Sequence, residues 1–343
     1  MEEENRSNNT IVCVTGGAGY IGSWLVKKLL LKGYTVHATL RDLNDSSKVG
    51  LLKALPNAEE RLTLFEADIY EPDSFETAVQ KCEYVFHVAT PMQHKTSDYF
   101  KNTTEAAIAS VKSILGSCIR TGTVKRFIYT ASVLSASPLK EDGTGFKEFI
   151  DESCWTPLNH PFSNLDDFTS DYVNSKTLAE KEVLNFNDKE KYGLDVSSLV
   201  CGLVAGETLL PYLSASQPVV LSQILGDDTV YYKSLRFIQE VLGSVPLVHI
   251  DDVCEAHIFC VENPLLNGRF ICAQAYPTIA EIADHYRKTY PDFRVREETM
   301  EEQGRGITNF STKLIDEGFE FKFDMKKMLD ETVDCARRLD SPE

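Results

Sequence analysis

Tyr172-Val-Asn-Ser-Lys176 carries the residue types for acid–base chemistry at a carbonyl group. A tyrosine and a lysine four apart share one face of a helix, with Cβ atoms about 5–6 Å apart. An ammonium beside a phenol favours phenolate and lowers the tyrosine pKa, which otherwise lies near ~10. A phenol tuned in this way can exchange a proton near neutral pH. The run 172–191 reads as the helix that carries the pair. Tyr-x-x-x-Lys also arises by chance on amphipathic helices, where it is only a solvated face. Its meaning depends on whether the chain supplies a cofactor, a third polar group and a pocket.

A cofactor site is signalled at the start of the chain. The β-branched run Ile11-Val-Cys-Val-Thr15 stops at Gly16-Gly-Ala-Gly19-Tyr-Ile-Gly22, and helical periodicity follows over 23–32. Glycines between a strand and a helix allow a tight turn, close approach of a pyrophosphate and close helix–sheet packing. The spacing Gly-x-x-Gly-x-x-Gly is a variant of the commoner dinucleotide fingerprint. The end of the second strand, 35–40, then meets the adenosine ribose. An acid there suits the free hydroxyl of NAD, and an arginine suits the phosphate of NADP. Here Arg41 stands at that place, with Lys48 soon after and Asp42 one step too late. The expectation is NADPH. Asp68, ending the third strand at 62–67, is placed for the adenine edge. Ser132, at the end of the fifth strand, is the candidate third polar group, because ligands in open α/β sheets bind at that edge.

These residues need a scaffold of short apolar strands alternating with helices. Strands read at 11–15, 35–40, 62–67, 84–88, 126–130 and 195–200. Helices read at 46–54, 72–79 and 99–121. The alternation predicts an α/β fold, a doubly wound parallel sheet of the Rossmann kind. Residues 1–202 read as the NADP-binding domain, with 245–273 returning to the sheet. Residues 203–343 read as a smaller substrate lobe. That lobe shows one helix at 216–225, a strand at 245–249, a helix at 253–261 headed by Asp251 and Asp252, a strand at 269–272, and helices at 278–290, 311–317 and 324–338.

Composition bounds the function. The chain has 343 residues and a formal net charge of -17, which argues against nucleic acid and anionic membranes as partners. Its nine cysteines are scattered with no Cys-x-x-Cys, as in a reduced cytoplasmic protein rather than a disulfide framework or zinc site. No stretch approaches the ~18 apolar residues of a membrane span. The acidic start, Met1-Glu-Glu-Glu, predicts no secretory signal. Residues 1–9 read as a disordered polar stretch. His87, His249 and His257 share no ligand spacing and read as core or turn residues, so no metal is expected. Tyr212, Tyr231 and Tyr232 read as lobe packing or as an aromatic pocket wall.

Together the pieces resemble a known family. Thr15-Gly-Gly-Ala-Gly-Tyr-Ile-Gly22, His87-Val-Ala-Thr-Pro91, Ser132 and Tyr172-x-x-x-Lys176 resemble the extended short-chain dehydrogenases/reductases. Further stretches are similar to the plant dihydroflavonol 4-reductase, anthocyanidin reductase and vestitone reductase group. They are Gly22-Ser-Trp-Leu-Val, Asp151-Glu-Ser-Cys-Trp155, Ser175-Lys-Thr-Leu-Ala-Glu-Lys181, Val248-His-Ile-Asp-Asp-Val-Cys-Glu-Ala-His-Ile258 and Gly318-Phe-Glu-Phe-Lys322. Gly243-Ser-Val resembles the anthocyanidin reductase branch. The resemblance spans about residues 10–339. It implies that Tyr172 donates the proton, Lys176 tunes it and holds the nicotinamide ribose, and Ser132 binds the carbonyl oxygen. It implies that Thr15, Gly16, Gly19, Tyr20, Ile21 and Gly22 serve the pyrophosphate turn, and Arg41 and Lys48 the 2′-phosphate. Asp68 and Ile69 would then meet the adenine, and Val88, Ala89 and Thr90 the bridge to the nicotinamide.

The chain departs from that family's pattern at its substrate wall. Cys201-Gly202 replaces a usual Pro-Thr, which predicts a looser backbone beside the nicotinamide. Gly206-Glu-Thr208 replaces Gly-Pro-Phe and is expected to bring the Glu207 charge to the pocket mouth. Ser137 replaces an asparagine that meets substrate. The expected function is NADPH-dependent reduction of a flavonoid-like or other phenolic ketone or enol, by a monomer or homodimer. Alternatives are an NADP-dependent alcohol or hemiacetal dehydrogenase, a nucleotide-sugar epimerase, and a non-catalytic cofactor-bound sensor.

Overall fold

The structure is a computed structural model that describes residues 9–91, 100, 102–142, 144–160, 162, 167–226, 229–296, 307 and 309–340. The polar stretch 1–8 and the expected helix start at Tyr99 lie outside the described residues.

The first half alternates as its sequence requires. Its elements are β1 (Ile11–Thr15), α1 (Tyr20–Leu31), β2 (Thr35–Leu40), α2 (Ser46–Lys53), α3 (Ala58–Arg61), β3 (Leu62–Glu66), α4 (Glu76–Val79), β4 (Tyr84–His87), α5 (Thr103–Thr121) and β5 (Arg126–Ser132). Then come β6 (Phe149–Ile150), α6 (Asp167–Leu184), α7 (Lys189–Tyr192), β7 (Asp195–Cys201), β8 (Leu203–Ala205), α8 (Ser216–Leu221) and α9 (Thr229–Leu242). The chain finishes with β9 (Leu247–His249), α10 (Ile250–Glu262), β10 (Gly268–Cys272), α11 (Ile279–Thr289), β11 (Asn309–Phe310), α12 (Lys313–Asp316) and α13 (Met325–Asp340). Val12, Val14, Val85, Phe86, Phe127, Ile128, Val196 and Leu199 are fully buried, as strands covered on both faces must be. Asn102 accepts from Glu105 N (2.8 Å) to start α5, and Gly122 at φ +64° ends it.

Seven strands form a parallel sheet in the order β3-β2-β1-β4-β5-β7-β10. The order reverses between β1 and β4, which pair with Thr15 opposite His87. Such a reversal opens a crevice at the carboxyl ends of those two strands, where open α/β sheets bind ligands. The chain separates into two compact units. One is Met1–Thr130, Lys181–Ser198 and His257–Gly268; the other is Ala131–Glu180, Leu199–Ala256 and Arg269–Glu343.

Several elements differ from the sequence reading. The helix carrying Tyr172 starts at Asp167 and stops at Leu184, so Tyr172 lies inside it rather than at its head. Asn187 and Asp188 follow its end, where short polar side chains bond the backbone instead: Asn187 Oδ1 accepts from Val196 N (3.2 Å). Asp188 caps α7 by accepting from Lys191 N (3.1 Å). The residues of β8 and α9 read as irregular in sequence, yet both elements form. β8 pairs with β9 in a two-stranded sheet apart from the large one, while β10 joins the large sheet. Asp252 holds the tail in place: its carboxylate accepts from Lys322 N (3.1 Å) and Phe323 N (3.3 Å).

Candidate active site

The glycine turn sits where β1 and β4 end. Gly16 N–H donates to Thr39 Oγ1 (3.2 Å), Gly17 N–H to Thr39 O (2.9 Å) and Gly19 N–H to Gly16 O (3.0 Å). Gly16 has φ +68°, and a Cβ there would lie 3.0 Å from Ala89 Cα. A Cβ on Gly22 would lie 2.1 Å from Gly16 O. Thr15 Oγ1 accepts from Val88 N (3.1 Å) and Ala89 N (3.2 Å), which leaves its proton for His87 Nδ1 (2.8 Å). One buried hydroxyl therefore fixes the end of β4 against the glycine turn. Ser23 N–H makes its helical bond to Gly19 O (2.8 Å). A helix cannot satisfy its own first N–H groups, so its start favours an anion.

The groups expected at the adenosine end lie beyond β2 and β3. Arg41 is exposed and makes no ion pair among the described residues. Asp42 turns into its own loop, where Oδ1 accepts from Asn44 N (2.8 Å). Lys48 pairs with Asp45 (3.0 Å), which leaves Arg41 as the less committed cation. Asp68 Oδ1 accepts from Tyr70 N (3.1 Å), and Ile69 is buried. Val88, Ala89 and Thr90 are half-buried. These residues fit the dinucleotide expected from sequence.

The acid–base group lies in the second unit. Ser132 closes β5 and is 9% exposed. Its Oγ accepts from Leu134 N (3.3 Å) and hydrogen-bonds the Tyr172 hydroxyl. Tyr172 is half-buried, and Lys176, one turn further along α6, is 5% exposed. Cys201, at the end of β7, stands close enough to influence both.

The direction of the tyrosine pKa corrects the sequence reading. Burial raises it above the ordinary phenol value, opposed by the Ser132 hydrogen bond, with Cys201 adding to the rise. Desolvation penalises phenolate and ammonium alike. Burial accordingly pulls the Lys176 pKa down to about 8, against the raising influence of Cys201 and Glu180. Tyr172 stays a phenol at neutral pH, and Lys176 is the group that titrates near it. Any reaction that needs the Lys176 charge is expected to hold its rate to about pH 7 and to decline through about 8. A turnover profile flat to about pH 10 would remove the Lys176 charge from the chemistry.

The same shift links to stability. The folded pKa of about 8 lies below the free value of 10.5, so the unfolded chain binds this proton more tightly. The cost of burying the ammonium is complete below about 8 and fades as pH rises towards 10.5. Stability from this group therefore increases with pH across that window, by roughly 3 kcal/mol.

The wall that departs from the family pattern is tightly held. Gly202 N–H donates to Cys272 O (2.9 Å), and Leu203 N–H donates to Pro246 O (2.7 Å). A Cβ on Gly202 would lie 2.8 Å from Pro246 O. The backbone is thus clasped between β9 and β10 rather than loosened. Glu207 is also not a bare charge, because Arg338 of α13 pairs with it (2.7 Å). Ser137 is fully buried; it donates to Val241 O and accepts from Leu139 N (3.0 Å). Among the histidines, His257 bonds Thr130 Oγ1 (2.7 Å) and His249 bonds Glu331 (2.8 Å). All nine cysteines are buried, and no helix among the described residues is long and apolar enough to cross a membrane.

Sequence reasoning missed Gly17, Thr39, Ser135, Glu180 and Arg269. A Cβ on Gly17 would lie 2.8 Å from Ala38 Cβ. The adjacent Gly16-Gly17 pair was the available signal for that position. Ser135, Glu180 and Arg269 form a buried polar group behind Ser132, and no local spacing announces it.

The profile of the NAD dependent epimerase/dehydratase family matches residues 12–270. A dihydroflavonol 4-reductase of Callistephus chinensis is 37% identical over 328 residues, covering 95% of this chain and 86% of that protein. An anthocyanidin reductase of Arabidopsis thaliana is 36% identical, covering 94% of this chain and 93% of that protein. The crystal structure of vestitone reductase from alfalfa, Medicago sativa, is similar with a TM-score of 0.76 and 34% identity. It matches 96% of this chain and 98% of that one.

Proposed function

The chain belongs to the NAD dependent epimerase/dehydratase family, and on that premise we propose that it is an NADPH-dependent reductase of a flavonoid-like or related phenolic ketone or enol. The observation that carries this reading is the Ser132–Tyr172 hydrogen bond beside the buried Lys176 amine. Two hydroxyls that meet in this way can both address one carbonyl oxygen. Relatives named for reducing anthocyanidins and dihydroflavonols support the substrate class.

When bound, NADPH supplies the hydride. Tyr172 gives its proton to the substrate oxygen, and Ser132 donates a hydrogen bond to the same atom. The Lys176 charge stabilises the negative oxygen as it develops. The glycine turn after β1 would hold the pyrophosphate, and the Arg41 guanidinium would meet the 2′-phosphate. We further propose a cytoplasmic location, in keeping with nine buried cysteines.

Consumption of NADPH, followed by absorbance against a dihydroflavonol, an anthocyanidin and an isoflavanone, tests the proposal. Turnover of at least one is expected. Inactivity on all three in both directions would overturn it. Arg41→Ala tests the cofactor. A lost charged hydrogen bond costs about 1.5–3 kcal/mol, so NADPH affinity is expected to fall about 10–100-fold. NADH affinity should stay unchanged. An equal loss for both nucleotides would refute the 2′-phosphate role.

A further inference from the structure

Glu180 lies one turn beyond Lys176 on α6, and its side chain is 0% exposed. A carboxylate so deeply buried needs a cation and hydrogen-bond donors. Arg269 of β10 supplies the cation: Nε lies 2.8 Å from Oε1, and Nη2 lies 3.1 Å from Oε2. The guanidinium is fixed in turn by the Glu152 carbonyl (3.0 Å), by the Cys154 carbonyl (2.5 Å) and by the Trp155 ring (3.7 Å to its centroid). The Asp151-Glu-Ser-Cys-Trp155 stretch thus serves as the seat of Arg269.

The second bonds of this pair reach the reacting segment. Ser135 Oγ lies 2.5 Å from Glu180 Oε2 and 2.7 Å from Ser132 O. Its single proton is shared between the carboxylate and the Ser132 carbonyl. Arg269 Nη2 donates to Ser135 O (3.2 Å) and to Ser135 Oγ (3.1 Å). A buried ion pair with only a structural task is often replaceable by apolar side chains without loss. Here its spare hydrogen-bonding capacity goes to the turn behind Ser132.

We infer that Glu180, held by Arg269, is a positioning residue for Ser132, Tyr172 and Lys176: its carboxylate fixes the Ser135 turn that carries Ser132 and stands one helical turn from the Lys176 ammonium. The inference rests on the reading of those three as the reacting set. Groups that influence Lys176 include Cys201 on β7 and Glu180 on its own helix, with Tyr172 one turn back. Of these, Glu180 joins a carboxylate paired with Arg269 to a hydrogen bond with Ser135 of the Ser132 segment. Burial lowers the Lys176 pKa and Glu180 raises it, so the carboxylate keeps the amine protonated to higher pH.

Three variants, Glu180→Gln, Ser135→Ala and Tyr172→Phe, decide the matter alongside the wild type. The first measurement is the pH profile of kcat with NADPH and whichever of the three test ketones the wild type reduces. The second needs neither cofactor nor substrate: the pH at which stability to urea begins to rise above neutrality. For Glu180→Gln, both the alkaline limb and the stability onset are expected to move about one pH unit lower. Its kcat near neutral pH is expected to fall about tenfold. A merely structural role would lower stability at every pH and leave both positions at their wild-type values; that result overturns the inference. Should Glu180→Gln fail to fold, Ser135→Ala decides. It is expected to lower kcat about tenfold with the limb unmoved, and wild-type kcat overturns the inference. Full turnover by Tyr172→Phe marks failure of the underlying reading. An inactive Tyr172→Phe beside an unshifted Glu180→Gln marks failure of the positioning role alone.

Discussion

Tyr172→Phe is expected to lower turnover about 10²–10⁴-fold while NADPH binding is kept. The substitution removes one oxygen and leaves the ring that occupies the site. Tyr172 is half-buried, so packing loss is small. Ser132 loses the Tyr172 hydroxyl but keeps its hydrogen bond from Leu134 N (3.3 Å), so the β5 end should hold its shape. In the proposed mechanism the missing group acts only as the substrate oxygen gains charge. Loss of such a group reduces kcat and kcat/KM together and leaves ground-state binding alone. Stopped-flow or steady-state assays with NADPH, beside a fluorescence titration of the cofactor, separate the two effects. A fully active variant would end the proposed mechanism. A variant with weakened NADPH binding and unchanged kcat would move Tyr172 from proton donor to cofactor contact.

The part of the site that was legible in sequence is the part set by local rules. The turn from β1 into α1 needs glycines for close approach, and Gly16, Gly19 and Gly22 announce that need without any knowledge of the rest. The place of Arg41 just after β2 is readable because a strand end has a fixed relation to the crevice at the sheet's carboxyl edge. Tyr172 and Lys176 are readable because four residues make about one helical turn. The strand and helix alternation predicted the sheet, and the observed order, with its reversal between β1 and β4, follows from it.

What was not legible depends on pairings across long stretches of chain. Glu180 continues the face of Tyr172 and Lys176, yet a glutamate there reads as solvated until Arg269 appears beside it. Thr15 reads as a strand end, and only the arrival of Val88 and Ala89 makes it a bridge. Glu207 reads as a charge at the pocket mouth and Ser137 as the replacement of a substrate-meeting asparagine, but Arg338 pairs with the first and the Val241 carbonyl accepts from the second. The direction of the Tyr172 pKa was misread for the same reason: spacing reveals a neighbouring charge but not the burial that outweighs it. Residues 203–246 looked irregular because β8 is only Leu203–Ala205 and finds its partner in β9, beyond α9.

Gly22→Ala is expected to cost about 2–4 kcal/mol of stability and to weaken NADPH binding by more than about 100-fold. On an ordinary helix the same change would be favourable by about 1 kcal/mol, since alanine is the better helix former. Here the sign reverses, because the new Cβ would lie 2.1 Å from Gly16 O, 2.9 Å from Gly16 C and 3.1 Å from Gly17 Cα. All three are backbone atoms, so no side chain can turn aside. The turn must open or α1 must shift, and either movement disturbs the N–H groups proposed to meet the pyrophosphate. Gly19→Ala is the internal control. Its Cβ would meet Gly16 O at 3.3 Å, and Gly19 is exposed with φ −83°. A shift of a few tenths of an ångström accommodates it, so only a modest change in stability is expected. Thermal melting and NADPH fluorescence titration of the two variants, side by side, test the argument. A Gly22→Ala protein that melts and binds NADPH as the wild type does would show that the turn neither needs this close approach nor carries the phosphates.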